Sequence, residues 1–328
     1  MTGDPETGAG AAAAPGTGSD SAPGGHPFGG AAYLAAEEYL EPLLEELGDA
    51  VASVHGRLVL THEPARAAAW AQNTWHDPVV LPIASIKQGA KALRSIQRNW
   101  AVYAPAHHRR ARLIQDLLPH VSAKPIAFPS PAPTAPLGSW TLLDEGTVLA
   151  AARCSSPFPN GEVQFLENKA VPPNRAYLKL WEAFTLLGRH PGPGDRCLDL
   201  GASPGGWTWV LQSLGASVVA VDKAPLDPGI ARLPRVETRQ ESAFGLKPAD
   251  VGPVDWLCCD VICYPERLLR MVRGWLESGL VRNYVCTIKF QGETDHATAA
   301  ALAAIPGARV MHLSHNKHEL TWALLSQA

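Results

Sequence analysis

Short apolar runs alternate with helical patterns over the second half of the chain. Runs at 197–200, 217–221, 255–259 and 284–289 have the length and composition of buried strands, and a helical pattern covers 175–187. The last two runs, 308–313 and 319–325, are joined by only Ser314 to His318, which predicts a hairpin. With a third strand before Glu241, we predict an α/β, Rossmann-like fold. Its seven-stranded sheet is mostly parallel, with one antiparallel strand at its end.

The first half of the chain has a different pattern. Leucines between Tyr33 and Leu47 recur with helical spacing opposite an acidic face, which predicts a helix, and a strand follows at 57–60. Small and polar residues dominate the first thirty positions, which we expect to be disordered. We therefore divide the chain into a lead (1–30), a smaller α+β N-terminal module (31–122), a proline-rich linker (123–137) and a large α/β domain (138–328).

Composition narrows the class of protein. The chain has 328 residues, of which 46% are hydrophobic, so it can bury a large core. It contains no apolar run of membrane-spanning length and does not begin like a secretory signal, so we expect a cytoplasmic protein without a membrane partner. Cys258, Cys259 and Cys263 lack the second ligand pair of a zinc finger, so we expect them to be buried and predict no metal.

A basic segment stands out although the formal net charge is only −3, which argues against a surface covered entirely by nucleic acid. No acidic residue lies between Asp77 and Asp116, while basic residues recur at helical spacing and continue beyond it, near Trp100 and Tyr103. Such a face suits RNA phosphates with base stacking, although a solvated helix face gives the same pattern. The candidate RNA-binding residues are Lys87, Lys91, Arg94, Arg98, Arg109, Arg110 and Arg112.

The segment CLDLGASPGGWTW, from Cys197 to Trp209, reads as a strand, a glycine loop and the start of a helix. Its glycines let a ligand approach the backbone, and the helix start favours an anionic group. The spacing matches neither the dinucleotide motif nor the triphosphate-binding loop. Asp222 ends the next strand, where a ribose with free hydroxyls would lie. Taken alone, the loop is equally a tight strand-to-helix connection.

Four polar side chains lie at strand or helix positions that a parallel sheet brings to its carboxyl edge. They are Lys179, Asp260, Lys289 and Glu319. Any one of them taken singly fits a solvated edge residue or a helix cap. Their order together with the glycine loop resembles the FtsJ-type ribose 2′-O-methyltransferases, and most closely the RlmM branch, which modifies a cytidine ribose of large-subunit ribosomal RNA. The resemblance covers residues 135–325.

The resemblance implies a class I methyltransferase sheet, S-adenosylmethionine as cofactor and a Lys-Asp-Lys-Glu catalytic tetrad. Two departures are visible: residues 33–124 match the THUMP-type RNA-binding domain of that branch only loosely, and Phe290 follows the second lysine where Pro or Leu is common. The cofactor-binding candidates are Asp199, Gly201, Ser203, Pro204, Gly205, Gly206, Trp207, Asp222, Glu241 and Asp260, with Trp207 also suited to packing on the sheet.

The chemistry gives each member of the tetrad a role. A free lysine, with a pKa of about 10.4, is protonated at pH 7, but a second lysine nearby and partial burial favour the neutral amine. We assign Lys289 as general base, Lys179 as the neighbour that favours this state and orients the hydroxyl, and Glu319 as an anchor for the lysines. Asp260 orients the tetrad and holds the amino group of the cofactor.

The sequence leaves the target open. We expect RNA as partner, with large-subunit ribosomal RNA first, and transfer RNA or an RNA cap as alternatives, because shape and single-stranded loops select the RNA. A non-catalytic RNA-binding or assembly factor and a small-molecule methyltransferase are the rival classes. The sequence does not indicate an oligomeric state.

Overall fold

The computed structural model describes residues 24–327. Residues 1–23, to which most of the predicted disorder refers, lie outside the described part. Within it, β1 (His26–Pro27) pairs with β6 (Val79–Pro82), so a disordered lead extending to residue 30 is wrong for these residues. Backbone hydrogen bonds to β6 order β1, and such bonds form without large side chains.

The N-terminal unit, residues 24–154, contains two five-stranded sheets with the orders β1-β6-β9-β8-β7 and β10-β5-β2-β4-β3. Three helices accompany them: α1 (Leu40–Leu47), α2 (Ile86–Ile96) and α3 (His108–Gln115). The remaining strands are β2 (Ala31–Ala35), β3 (Val51–His55), β4 (Leu58–Thr61), β5 (Ala71–His76), β7 (Trp100–Val102), β8 (Gly138–Asp144), β9 (Thr147–Ala151) and β10 (Arg153–Cys154).

Two sequence predictions for this unit are wrong. The predicted helix over 33–47 begins only at Leu40, because Ala31–Ala35 is a fully buried strand paired on both sides. The boundary at residue 138 is also wrong, since the hairpin β8–β9 pairs with β7 and β6 of the N-terminal unit. Local alternation predicts a hairpin but not the sheet that the hairpin joins. The proline-rich segment 123–137 forms no helix or named strand.

The C-terminal unit, residues 177–327, contains the predicted seven-stranded sheet, in the order β13-β12-β11-β14-β15-β17-β16. Its strands are β11 (Arg196–Leu200), β12 (Ser217–Asp222), β13 (Val236–Gln240), β14 (Val254–Cys259), β15 (Val281–Lys289), β16 (Ala308–Met311) and β17 (Glu319–Leu324). Strand β17 is antiparallel to both neighbours, which confirms the hairpin, but it lies between β15 and β16 rather than at the edge.

Helices connect these strands: α4 (Tyr177–Leu187), α5 (Gly206–Ser213), α6 (Pro228–Ala231), α7 (Pro248–Val251), α8 (Pro265–Ser278) and α9 (His296–Ala303). The glycine loop, Asp222, Asp260 and Lys289 follow or end parallel strands, so they lie at one edge of the sheet.

The two units share one hydrophobic core. Trp70 of the N-terminal unit is fully buried in the same cluster as Ile288 and Trp322 of the large sheet. Its ring centroid lies 5.6 Å from that of Phe290 and 5.1 Å from that of His312. Phe290, which follows Lys289 where Pro or Leu is common in the family that the sequence resembles, therefore packs against the N-terminal unit.

We expect Trp70→Ala to destabilise the protein by about 3–5 kcal/mol, because it removes the largest side chain at this junction. Trp70→Phe should cost less, since Trp70 Nε1 has no hydrogen-bond partner to lose. Urea unfolding measures both. Val54→Ala, at a position with 42% exposure, is the control and should change stability by less than about 0.5 kcal/mol. Equal effects of Trp70→Ala and Val54→Ala would contradict a shared core.

Candidate active site

The glycine loop leaves β11 and turns into α5 with no room for side chains. Gly201 has φ of +79°, and a Cβ there would lie 2.7 Å from Val261 Cγ2. Gly205 has φ of +121°, and a Cβ there would lie 2.7 Å from Ile230 Cγ2. Gly206 begins α5, whose first backbone N–H groups are not capped by a side chain. The loop therefore presents main chain and a helix start at the carboxyl edge of the sheet.

Asp199 lies fully buried beneath this loop. Thr208 Oγ1 donates a hydrogen bond of 2.6 Å to Asp199 Oδ2, while Oδ1 has no partner. Burial raises the pKa of Asp199 to about 7. The hydrogen bond from Thr208 lowers this pKa, whereas the nearby charges of Asp260 and Asp222 raise it further. Asp199 is thus a buried carboxyl group under the loop, with a hydrogen bond to only one of its two oxygens.

The other cofactor candidates occupy distinct positions. Asp222 Oδ2 accepts from Ser203 N at 3.0 Å and Oδ1 from Ala224 N at 2.9 Å, so this carboxylate fixes the loop and keeps lone pairs for a further donor. Trp207 is buried and its Nε1 donates to Ala176 O, in agreement with a packing role. Glu241 is exposed directly after β13.

Pro204 shares the turn with Ser203, and its carbonyl accepts from Asp227 N at 2.9 Å. This bond ties the loop to the start of α6. The loop candidates are therefore brought together at one edge, whereas the side chain of Trp207 belongs to the core.

The structure brings the four residues of the predicted tetrad into direct contact. Lys179 Nζ lies 2.9 and 3.0 Å from the two carboxylate oxygens of Asp260 and 3.1 Å from Glu319 Oε1. Lys289 Nζ lies 2.9 Å from Asp260 Oδ1 and donates to the main-chain oxygen of Asp260 at 2.8 Å. Asp260 Oδ1 thus bridges both lysines. The side chains are 10–17% exposed, so the cluster faces solvent only at its rim.

The two lysines differ in their surroundings. Burial alone would lower the pKa of Lys179, but the carboxylates of Asp260 and Glu319 outweigh it, and the pKa of Lys179 is raised. Lys179 is therefore a permanent cation that contacts three carboxylate oxygens. Lys289 Nζ has two acceptors, both on Asp260. Lys289 is therefore the lysine of the pair with fewer carboxylate contacts.

Sequence reasoning missed two residues beside the tetrad. Glu182 lies one turn after Lys179 on α4, is buried, and accepts from the Nδ1 of His315 at 2.6 Å. The spacing of three residues on one helix was the available signal for Glu182. Nothing local marked His315, because its partner lies 133 residues away.

The basic residues lie apart from the tetrad, on α2 and α3 of the N-terminal unit. Lys87, Lys91 and Arg94 line one surface depression together with Leu117, whose carbonyl accepts from Arg94 Nη1 at 3.3 Å. Arg98 follows the end of α2. Arg109, Arg110 and Arg112 lie on α3, which packs against α2. Two neighbouring helices thus carry six of the seven predicted residues, and three of these, Lys87, Lys91 and Arg94, share one depression.

The cysteines are free thiols. Cys258, Cys259 and Cys263 are buried as predicted, and burial raises the pKa of Cys263 to about 11. Among residues 24–327 no group of three or more His, Cys, Asp or Glu side chains is arranged to hold a metal ion. Nor does a helix in that range have the length and apolar character needed to cross a membrane.

Comparison with known proteins agrees with this geometry. Residues 172–304 match the family model described as FtsJ-like methyltransferase. The chain is 38% identical over 157 residues to a ribosomal RNA large subunit methyltransferase M of Halorhodospira halophila, covering 45% of this chain and 46% of the relative. The protein of that name from Xanthomonas oryzae pv. oryzae is 34% identical over 208 residues, covering 61% and 55%. The chain spans about half the length of these curated relatives.

Among solved structures, TrmN from Thermus thermophilus has a TM-score of 0.35 and 14% identity to this chain, covering 91% of this chain and 99% of its own.

The raised pKa of Asp199 predicts that the stability of the protein depends on pH. Asp199 has a pKa of about 7 in the folded protein and about 3.8 as an unperturbed group. Between these values the folded state holds a proton that the unfolded state has released, so the unfolding free energy falls as pH rises, by up to about 1.4 kcal/mol per pH unit. Asp199→Asn should lose this contribution and gain stability relative to wild type from pH 4 to 7.

Urea unfolding of both proteins across that range measures the difference. Asp250→Asn, at an exposed position with a similar change of side chain, is the control and should show a curve parallel to wild type. A curve for Asp199→Asn that is also parallel to wild type would contradict the raised pKa.

Proposed function

Because residues 172–304 match the FtsJ-like methyltransferase family, we propose that this protein methylates a ribose 2′-hydroxyl of RNA with S-adenosylmethionine. The observation that carries the proposal is the contact of Lys179, Asp260, Lys289 and Glu319 at the carboxyl edge of the large sheet. These residues come from four separate elements, so their meeting is a property of the fold and not of a local motif.

The loop geometry fits S-adenosylmethionine. The backbone at Gly201 and Gly205 turns where side chains would clash, which leaves main chain open to a nucleoside. Asp222 retains lone pairs for ribose hydroxyls, and the carboxylate of Asp260 lies near the loop to receive a cationic group, while Asp199 supports the loop from beneath. Glu241, after β13, would accept from the adenine amino group. When bound, the cofactor supplies an electrophilic methyl group on a positively charged sulfur.

Lys289 acts as the general base. Its Nζ, held by two bonds to Asp260, would direct its remaining lone pair to the 2′-hydroxyl and take the proton from that oxygen. S-adenosylmethionine held at the glycine loop would supply the methyl group to the oxygen and would leave as the uncharged thioether. Lys179 stays charged, so its positive charge would stabilise the developing negative charge on the oxygen, and Glu319 holds Lys179 in place. Most of the rate gain comes from in-line placement of oxygen and carbon.

Large-subunit ribosomal RNA is the substrate we propose. The support comes from the curated relatives, which carry that substrate in their names, and from the basic surface on α2 and α3. Transfer RNA and capped RNA remain the alternatives for the target. A non-catalytic RNA-binding factor is disfavoured by an assembled tetrad, because such a factor has no use for two lysines held on one carboxylate.

We expect Lys289→Met to lower the rate of methyl transfer by about 10²–10⁴-fold, because it removes the base. Binding of S-adenosylmethionine, measured by calorimetry, should fall far less than the rate, since Lys289 contacts the cofactor candidates only through Asp260. Methylation is measured by mass spectrometric mapping of 2′-O-methylated nucleotides in RNA from cells with wild-type protein, with the variant, and without the gene.

Lys247→Met is the matched control, because Lys247 is exposed and lies between β13 and α7. It should leave methylation unchanged. If no ribose methyl group disappears in the gene deletion although the protein binds S-adenosylmethionine, the acceptor is not a ribose of the mapped RNA. If the protein binds no cofactor, the non-catalytic alternative replaces the proposal.

Reversal of the basic surface should weaken RNA binding without affecting the cofactor. We expect Lys87→Glu with Arg94→Glu to reduce affinity for RNA and to lower the slope of log affinity against log salt by about 0.7 per lost phosphate contact. Arg270→Glu with Arg273→Glu, two exposed arginines on α8, is the control with the same charge change. Equal losses for both pairs would show a general charge effect instead of a binding face.

A further inference from the structure

A pocket of about 310 Å³ lies where the N-terminal unit meets the loop between β16 and β17. We call it the junction pocket. Glu37, Tyr39 and Gln72 of the N-terminal unit line it on one side, and His315 and Asn316 on the other, with Gln164 of the connecting segment between them. Its volume falls at the lower end of small-ligand sites, which are about 300–1,000 Å³.

His315 is held in this pocket by a buried carboxylate. The side chain of Glu182 is 1% exposed and accepts from the backbone N–H groups of Ser314 and His315, from Ser314 Oγ and from His315 Nδ1. A carboxylate with this many donors is fully compensated and cannot move without breaking them. The imidazole is therefore fixed in orientation. Side chains that bind a ligand in a defined geometry are held in the same way by a supporting residue.

The same bond decides the chemistry of the other ring nitrogen. A carboxylate has no hydrogen to donate, so Nδ1 carries the proton in the bond to Glu182. Nε2 is the ring nitrogen that this bond leaves free, and in the neutral tautomer it accepts a hydrogen bond. Nε2 has no hydrogen-bond partner among the described residues. It is also not one of the fully enclosed side-chain atoms that lack a partner. Nε2 is thus not fully enclosed, and His315 is one of the residues that line the pocket.

The lining of the junction pocket does not suit a phosphate. No lysine or arginine is among the described residues that line it, while carboxylates of Glu37 and Glu162 and side-chain amides are. Together with His315 Nε2, these groups make the pocket rich in hydrogen-bond acceptors. Acceptors of this kind complement the exocyclic amino group of a nucleobase.

The pocket also lies beside the tetrad. Asn316 Nδ2 donates to the main-chain oxygen of Glu319 at 3.1 Å, and Glu182 is one helical turn from Lys179. On the other side, the charge of Glu319 is among the causes that raise the pKa of Tyr39, after burial and Glu38, so Tyr39 also lies near the tetrad. The residues that form and support the pocket are thus bonded to Glu319 or lie one helical turn from Lys179.

We propose that the junction pocket binds the base of the nucleotide that is methylated, with His315 Nε2 accepting a hydrogen bond from an exocyclic amino group of that base. The inference rests on the proposed ribose methylation and assigns the site that selects the acceptor. Glu182 is then a positioning residue, which acts through His315.

The test uses the full chain with an unmodified transcript that carries the mapped acceptor, and a second transcript in which the exocyclic amino group of the acceptor base is removed. For wild type we expect kcat/KM to fall about tenfold on removal of the amino group, the effect of one lost hydrogen bond in an enclosed site. His315→Asn keeps a donor near the Nδ1 position but lacks Nε2, so it should fold normally and treat both transcripts alike.

His62→Ala is the matched control, because His62 is exposed in the N-terminal unit, and it should retain the wild-type preference. A purely structural role of His315 would slow both transcripts equally and leave the preference intact, so an unchanged preference in His315→Asn overturns the inference. An acceptor mapped to a uridine, which has no exocyclic amino group, would also overturn it.

The two proposals fail in different ways. Wild-type protein that methylates the transcript with no preference for the amino group leaves ribose methylation standing and removes the assignment of the pocket. Wild-type protein that binds S-adenosylmethionine but transfers no methyl group to any RNA overturns both.

Discussion

The carboxylate of Asp260 is the contact on which the candidate site depends. It accepts from Lys179 with both oxygens and lies 2.9 Å from Lys289, and its own backbone oxygen accepts from Lys289 as well. Removing it would leave two buried amines close together with only Glu319 as a counter-ion, and uncompensated buried charge is strongly destabilising. The position of Asp260 is set by the sheet, since Asp260 follows β14 and its N–H donates to Leu200 O of β11. The central parallel strands therefore position the proposed chemistry directly.

The N-terminal unit is coupled to this site through residues adjacent to the tetrad. Phe290 follows Lys289, and His318 precedes Glu319, and both rings pack against Trp70 with centroids 5.6 and 5.7 Å away. Because aromatic pairs of this kind are buried and directional, a shift of the N-terminal unit would be transmitted to two catalytic candidates. An RNA bound to α2 and α3 would thus have a defined position with respect to the tetrad.

The sequence predicted the parts of the structure that local patterns determine. Apolar runs located the strands of the large sheet, and the order of Lys179, the glycine loop, Asp260, Lys289 and Glu319 identified side chains that do meet. The hairpin β8–β9 was placed in the wrong unit because its pattern does not depend on which sheet it joins. The strand Ala31–Ala35 was missed because small side chains enclosed on both faces carry no alternation. His315 was missed because its partner Glu182 is distant in sequence.

The tetrad would, on the proposed function, recognise a hydroxyl group and little else, since two lysines and two carboxylates at a sheet edge leave no group for a base. On the proposed function, selection of one nucleotide must therefore come from surfaces outside it. The basic residues on α2 and α3 would contact phosphates of any RNA, because phosphates carry no sequence information. Discrimination then requires a surface rich in hydrogen-bond acceptors next to the tetrad, with side chains fixed before the RNA arrives. The loop held by Glu182 meets these conditions, and it can do so because one buried carboxylate orders two consecutive backbone N–H groups and an imidazole together.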